Sequence, residues 1–203
     1  NLGDPRKNIS YNRNMCSNKI FHYRRVNHLR EFLRQITGQT NLTMSREHID
    51  LIKEELKKKN IQRKNIDERI IRSIMKDKRL NKSYEQAVSL TKYLNPQYEP
   101  IKLSIEYSEK LVLQFITLEK PFETIRAKVD SKRRNFLSYP FVFYRLNELN
   151  GRPELNKTVR LLKSSRLIAK QDAFWKLIMK HLGWKYQGLS IFRDFRSKYK
   201  KCF

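Results

Sequence analysis

Glycine, proline and cysteine are all scarce in this sequence, whose 203 residues include five Gly, six Pro and two Cys. Strands and their tight turns need more glycine and proline, and more alternation of β-branched residues, than this chain contains. Leucine, isoleucine, lysine, arginine and glutamate are frequent instead. The composition therefore predicts an all-α fold, a bundle of several helices.

The two cysteines, Cys16 and Cys202, lie near the two ends, and no Cys or His residues have the spacing of a zinc site. No stretch approaches the roughly 18 apolar residues that a membrane-spanning helix needs. An apolar segment of the kind that signal peptides contain is also absent near residue 1. We therefore expect no metal, no other cofactor and no membrane partner.

Acidic residues are few, 20 against 45 lysines and arginines, and the formal net charge is +25. A disordered basic tail would be poor in aromatic residues, whereas this chain has 11 Phe, 10 Tyr and 2 Trp. The charge is therefore expected on the outside of a packed body. An excess of this size favours a polyanionic partner, of which nucleic acid is the commonest. A basic surface that binds no nucleic acid is the alternative.

The residue patterns of common enzymes are missing as well. Phosphoryl-transfer sites need clustered carboxylates to hold a metal, and a P-loop needs GxxxxGK[ST]. Asp67 and Glu68 are adjacent and point in different directions on a helix, while Asp130 is surrounded by cations. Ser, Cys and His residues are too dispersed to indicate a nucleophilic triad. We expect a protein without enzymatic activity.

The chain divides into two groups of predicted helices. Residues 1–20 are polar and aperiodic, which predicts an extended or disordered lead-in. The stretch from Pro96 to Pro100 predicts a boundary between an N-terminal helical subdomain over 21–95 and a C-terminal one over 101–185. Residues 186–203 are predicted to be a basic tail.

Capping residues and helix breakers predict where individual helices begin and end. Ser45 is predicted to cap a helix that buries Ile49, Ile52 and Leu56, and Asn65 with Glu68 resembles a capping box. Further helices are predicted over 23–37, 83–94, 104–119, 138–150 and 165–182. Pro121 is predicted to end the helix over 104–119, with residues 126–134 as a basic connector.

Two sets of apolar side chains are predicted to form the core of the C-terminal subdomain. On the helix over 104–119 they are Ile105, Val112, Phe115 and Ile116. The second set is aromatic and resembles a stacking platform for single-stranded nucleic acid, but its helical spacing favours core packing; it comprises Phe136, Tyr139, Phe141, Phe143 and Tyr144.

Three groups of cations are candidate DNA contacts. On the helix over 165–182, Leu167, Phe174, Trp175, Ile178 and Leu182 share one arc, and the opposite arc carries Arg166, Lys176 and Lys180 with Lys170 at its edge. The second group is Lys132, Arg133 and Arg134, and the third is Arg24, Arg25 and Arg30. Such faces bind phosphate oxygens, although a solvated helix face is the alternative for each one alone.

Three segments resemble a known family. They are YRRVNHLREFL at 23–33, RNFLSYPFVFYRL at 134–146, and LKS at 162–164 with QDAFW at 171–175 and LGW at 182–184. Together they are similar to the poxvirus-type viral late transcription factor 3 family of large cytoplasmic DNA viruses. Members usually carry a cysteine-rich, zinc-binding stretch before the first segment, where this sequence has only Cys16.

The resemblance implies a non-enzymatic factor for late viral genes, which contacts promoter DNA, the virus-encoded RNA polymerase and other late transcription factors. It also implies a location in viral factories of the host cytoplasm, with the virion or the host nucleus as alternatives. The helix count is compatible with two cyclin-like repeats, as in transcription factor IIB. A general RNA- or DNA-binding or packaging protein of a large DNA virus, and a scaffold for acidic proteins, are the alternative functions.

Overall fold

The computed structural model describes residues 25–189 except 131, 158 and 163, with only the backbone at Lys82. Within that part of the chain every regular element is helical, so the all-α prediction is confirmed. The α-helices are α1 over 25–36, α2 Arg46–Lys58, α3 Glu68–Asp77, α4 Ala87–Leu94, α5 Ile105–Val129, α6 Tyr139–Leu149 and α7 Ser165–Leu182. Short 3₁₀ helices span Arg63–Asn65, Asn81–Gln86 and Pro153–Asn156.

The helices form two compact units. One consists of residues 27–108, and the other combines residues up to 26 with those from 109 onward. The division falls within α1 and within the first turn of α5. The subdomains 21–95 and 101–185 and the cyclin-like repeats stay predictions. The predicted lead-in over 1–20, and the predicted tail from residue 190 onward, lie outside the described residues.

In the unit over 27–108, α2, α3 and α4 surround a core of aliphatic side chains. Ser45 caps α2 by accepting a hydrogen bond from the His48 backbone N–H, and α2 buries Ile49, Ile52 and Leu56, as predicted. The capping box predicted at Asn65 is wrong. Asn65 ends a 3₁₀ turn, and Asp67 caps α3 by accepting a 2.8 Å hydrogen bond from the Ile70 backbone N–H.

In the other unit, α5, α6 and α7 supply an aromatic core. The Phe122 and Phe136 ring centroids lie 4.5 Å apart, and Phe141 meets Trp175 edge-on at 6.3 Å. Phe141, Phe143 and Tyr144 are buried. The aromatic side chains of this segment are therefore structural, as their spacing predicted, because they fill the space between helices.

Pro121 does not end a helix, contrary to the sequence prediction. It lies inside α5, which continues to Val129, so that residues 126–129 are helical and the connector to α6 covers 130–138. Burial explains this continuation. Phe122 and Ile125 lie in the core on the far side of Pro121, and their burial offsets the backbone hydrogen bond that a proline cannot donate.

Three apolar residues are exposed although two of them were predicted to lie in the core and the third on the apolar arc of α7. Ile105 is 84% exposed and Ile116 is 36% exposed, while on α7 Leu167 is 48% exposed. On α5 the core contacts fall on Leu111, Val112, Phe115 and Leu118. Ile105 belongs to the first turn, where the helix has not yet reached the aromatic core. No helix in the part of the chain that the structure describes has both the length and the apolar character to span a membrane.

Candidate nucleic-acid interface

Helix α7 has the bounds that its capping residues predicted. Ser164 accepts a hydrogen bond from the Leu167 backbone N–H at 3.4 Å, and Gly183 adopts φ +67° directly after the last turn. One side of the helix is inserted into the core through Phe174, Trp175 and Ile178, all of them buried. The orientation of α7 is therefore fixed by aromatic packing, which turns its other side toward solvent.

That outer side carries four exposed cations, Arg166, Lys170, Lys176 and Lys180, with the exposed Ala169 and Ala173 between them. At 1.5 Å per residue they extend along about 21 Å of the helix axis. Asp172 is the one acidic residue of α7, and it faces Tyr186 and Arg145 instead. None of the four cations forms an ion pair within the described residues. We call this surface the α7 face.

The connector over 130–138 is anchored on α7 through Arg133. The Arg133 guanidinium stacks over the Phe174 ring at 4.7 Å and donates to the Asn135 carbonyl at 3.0 Å. Burial lowers the pKa of Arg133, while Asp130 opposes that shift. Further along, the Ser138 backbone N–H donates to Gln171 Oε1 at 2.7 Å.

Through these two contacts the connector lies against α7 at Gln171 and Phe174. Lys132 and Arg134 flank Arg133, and both are exposed. Arg133, of the second predicted cation group, therefore contacts the helix that carries the first group. Arg133 itself is half-buried and engaged with aromatic rings and carbonyl groups.

Arg25, of the third predicted group, is engaged with side chains inside its own unit. The Arg25 guanidinium lies 2.8 Å from Glu123 and 3.9 Å from Glu119, with its centre 5.4 Å from the Phe136 ring centroid. Its side chain is 20% exposed. Arg30 is exposed on α1 but belongs to the unit over 27–108. Arg24 lies outside the described residues.

Glu119 is the buried carboxylate of this region. Burial raises its pKa to about 7, against the attraction of Arg25, and Glu123 adds to the increase. Its side chain is 5% exposed. This pKa places the change of charge of the buried carboxyl group near neutral pH.

Arg145 is a buried cation that the sequence analysis missed. It pairs with Glu148, lies 3.6 Å from Asp172 and donates to the Gln187 carbonyl. Tyr186 donates to Asp172 at 2.6 Å, so the network attaches the segment after α7 to the core. The available signal was a single arginine inside the apolar run FVFYRL at 141–146.

No group of three or more His, Cys, Asp or Glu side chains is arranged to hold a metal ion in the described part of the chain. The α7 face presents hydrogen-bond donors and positive charge to solvent. Such a surface can bind phosphate oxygens through charge-assisted hydrogen bonds.

A family described as "Poxvirus Late Transcription Factor VLTF3 like" matches residues 16–186. The chain belongs to this family. The match confirms the resemblance seen in the three sequence segments. The region that matches contains α7 and the connector, so the candidate interface lies within the part of the chain that defines a VLTF3-like protein.

Two relatives of this VLTF3-like chain are proteins of large DNA viruses. A protein of Paramecium bursaria Chlorella virus 1, named as a candidate transcription factor, is 32% identical over 84% of this chain and 46% of its own length. A second protein named as a candidate transcription factor, from Acanthamoeba polyphaga mimivirus, is 30% identical over 81% of this chain and 37% of its own length. The chain thus spans less than half of these relatives. No solved structure matches it.

Proposed function

We propose that this VLTF3-like chain acts in late viral transcription as a non-enzymatic factor that contacts promoter DNA and the virus-encoded RNA polymerase. The observation that carries the proposal is the α7 face, where four exposed cations extend along one helix with no acidic side chain among them. Membership in a late transcription factor family supports the transcriptional role.

The DNA contact follows from electrostatics. Each cation that neutralises a phosphate releases condensed counterions, which contributes a favourable entropy at low salt. The lysines of the α7 face are point charges on flexible stems, and they suit backbone contacts better than base readout. We therefore propose a sequence-tolerant contact in which the α7 face, Lys132 and Arg134 position the duplex. Arg24, Arg25, Arg30 and Arg133 remain predicted contacts, of which Arg25 and Arg133 already have partners within the protein.

The polymerase and other late transcription factors are the proposed protein partners, and the viral factory in the host cytoplasm is the proposed location. A general packaging protein would need the same positive charge. Family membership favours transcription over packaging, because the relatives named above are candidate transcription factors.

The first prediction separates the DNA contact from the polymerase contact in infected cells. The full chain is compared with an α7 variant that combines Arg166→Gln, Lys170→Gln, Lys176→Gln and Lys180→Gln. After pull-down, we expect the wild-type chain to retain viral DNA and RNA polymerase, and to keep polymerase after nuclease treatment. The α7 variant is expected to retain polymerase but to lose most of the DNA, because its phosphate contacts are gone.

A matched control removes four cations that already have acidic partners. Arg34, Lys53, Lys102 and Arg152 lie 3.9, 3.0, 3.0 and 2.5 Å from carboxylate oxygens of Glu31, Asp50, Glu99 and Glu154. Their joint replacement by Gln changes the net charge equally and should leave DNA retention near the wild-type value. Equal DNA loss in both variants would contradict a localised interface, and polymerase that disappears with nuclease would contradict the bridging role.

A further inference from the structure

Helices α2 and α3 end in the same way. After α2, the Ile61 N–H donates to the Leu56 carbonyl at 3.0 Å, and Asn60 between them has φ +53°. After α3, the Leu80 N–H donates to the Met75 carbonyl at 2.8 Å, and Arg79 has φ +60°. Both are Schellman ends, in which one residue in the left-handed region reverses the chain.

Arg79 is unusual at such a position. The corresponding residues after α1, α6 and α7 are Gly38, Gly151 and Gly183, with φ of +67°, +69° and +67°. Glycine adopts this conformation without strain, and asparagine tolerates it, whereas a long side chain with a Cβ is disfavoured. Backbone strain of this kind is found preferentially at functional sites. The choice of arginine therefore points to a role for its side chain.

The two helix ends together form a cationic cluster. Lys78 lies 2.7 Å from Glu55 and Lys59 lies 3.3 Å from Asp77, so these two pairs connect the end of α2 to the end of α3. Lys58 lies 3.4 Å from Glu55 within α2. The hydrogen bond from Lys78 is the largest cause that lowers the pKa of Glu55; burial opposes the shift, and Lys58 adds to it. The cluster consists of six cations, Lys57, Lys58, Lys59, Lys76, Lys78 and Arg79, with two acids, Glu55 and Asp77.

Half of these cations have no acidic partner in the described structure. Lys57, Lys76 and Arg79 are exposed and form no ion pair there. Cations in a last helical turn are stabilised by the helix dipole, which accounts for Lys57 and Lys76 as structural residues. The dipole gives no reason for a strained arginine after the helix has ended, where glycine would reverse the chain more easily.

We infer that the ends of α2 and α3 form a second binding surface for the phosphodiester backbone of duplex DNA, with Arg79 in direct contact. This surface belongs to the unit over 27–108, whereas the α7 face belongs to the other unit. The inference rests on the proposed function, since it requires that the chain bind DNA. Two surfaces on one chain make the binding bivalent, so that loss of either one weakens it without abolishing it.

The second prediction tests Arg79 with a substitution that relieves strain. Arg79→Gly removes one charge and permits φ +60° without a Cβ, so we expect a melting temperature equal to or above that of the wild-type chain. Affinity for a duplex in low salt should nevertheless fall about three- to tenfold. The slope of log Kd against log salt concentration should decrease by about 0.9 for the one lost phosphate contact. Fluorescence anisotropy with a labelled 30-base-pair duplex measures both quantities.

Asn60→Gly is the matched control, because it makes the same backbone change at the end of α2 without altering charge. It should leave both affinity and salt slope unchanged. A second variant, Lys57→Gln with Lys76→Gln, should reduce the slope by about 1.8, for two contacts. The inference would be overturned if Arg79→Gly and this double variant both kept the wild-type affinity and salt slope. It would also be overturned if the variants lost affinity for single-stranded RNA but not for duplex DNA.

The outcomes also separate this inference from the proposed function. If the wild-type chain ignores duplex DNA at low ionic strength, the proposed function itself fails. If the α7 variant binds weakly while both Arg79→Gly and the Lys57→Gln, Lys76→Gln variant bind like the wild-type chain, only the second surface is overturned.

Discussion

Glu119 makes the stability of the unit that contains α7 depend on pH. Burial raises its pKa from 4.5 to about 7, so between these values the folded chain binds more protons than the unfolded chain. The folding free energy linked to this group therefore becomes less favourable as pH rises through that range. The shift corresponds to roughly 3 kcal/mol, fully expressed above pH 7.

The third prediction replaces this carboxyl group by an amide. In Glu119→Gln nothing titrates at the position, so the loss of stability between pH 5 and pH 8 should be smaller than in the wild-type chain by about 2–3 kcal/mol. Urea denaturation at several pH values measures the difference. Glu54→Gln, which removes an exposed carboxylate of α2, should leave the pH dependence unchanged. A wild-type profile in Glu119→Gln would contradict the ionisation of a buried Glu119 near neutral pH.

Single residues also show what sequence patterns cannot provide. Arg133 and Arg134 are neighbours, yet the first stacks on Phe174 and the second is exposed. The sequence shows a run of basic residues. Which of its guanidinium groups packs against the core depends on the Phe174 ring, which is 41 residues away in sequence. The burial of Arg145 was missed for a similar reason, because one of its acidic partners, Asp172, lies on another helix.

Helices with a strong cap and a clear apolar stripe were predictable from local chemistry. The bounds predicted for α7, residues 165–182, agree with the structure, and Ser45 caps α2 as predicted. Pro121 led to a wrong prediction of a helix end, because proline disfavours a helix locally. The burial of Phe122 and Ile125, which offsets that cost, depends on tertiary structure and cannot be read from the local sequence. The charged arc of α7 was likewise predictable, but its contact with the connector depends on the fold.

The fourth prediction concerns the connector over 130–138. Arg133→Lys preserves the net charge but loses the planar group that stacks on Phe174 and donates to Asn135. We expect faster amide exchange at residues 132–138 and a severalfold loss of duplex affinity, because Lys132 and Arg134 are then less well positioned. Unchanged affinity in Arg133→Lys would show that this position contributes charge alone.

For the chain as a whole, composition predicted an exterior of high positive charge around a helical core. The core and the helical class are as expected, and the family is established by the match over residues 16–186. Composition could not show that the cations fall into distinct sets, some engaged inside the protein and others free of acidic partners. That distinction depends on the pairing of side chains from different helices, such as Arg25 with Glu123.

Duplex DNA and single-stranded RNA differ as partners of such a surface. A helix face of cations with few exposed aromatic rings can follow a phosphate backbone but offers no stacking platform for unpaired bases. On α7 the aromatic side chains are buried, and the exposed side chains include four cations as well as Leu167 and Leu177. We therefore expect unlabelled duplex DNA to displace a bound labelled duplex more effectively than single-stranded RNA of equal charge does.

The fifth prediction is the most direct test of the cationic interface. Affinity of the full chain for a 30-base-pair duplex is measured from 50 to 300 mM salt, for the wild-type chain and for the α7 variant. We predict a linear fall of log affinity with log salt concentration, and a slope smaller by about 3.6 in the variant, for four lost phosphate contacts. A wild-type chain that does not bind at 50 mM salt, or a variant with the wild-type slope, would contradict the account.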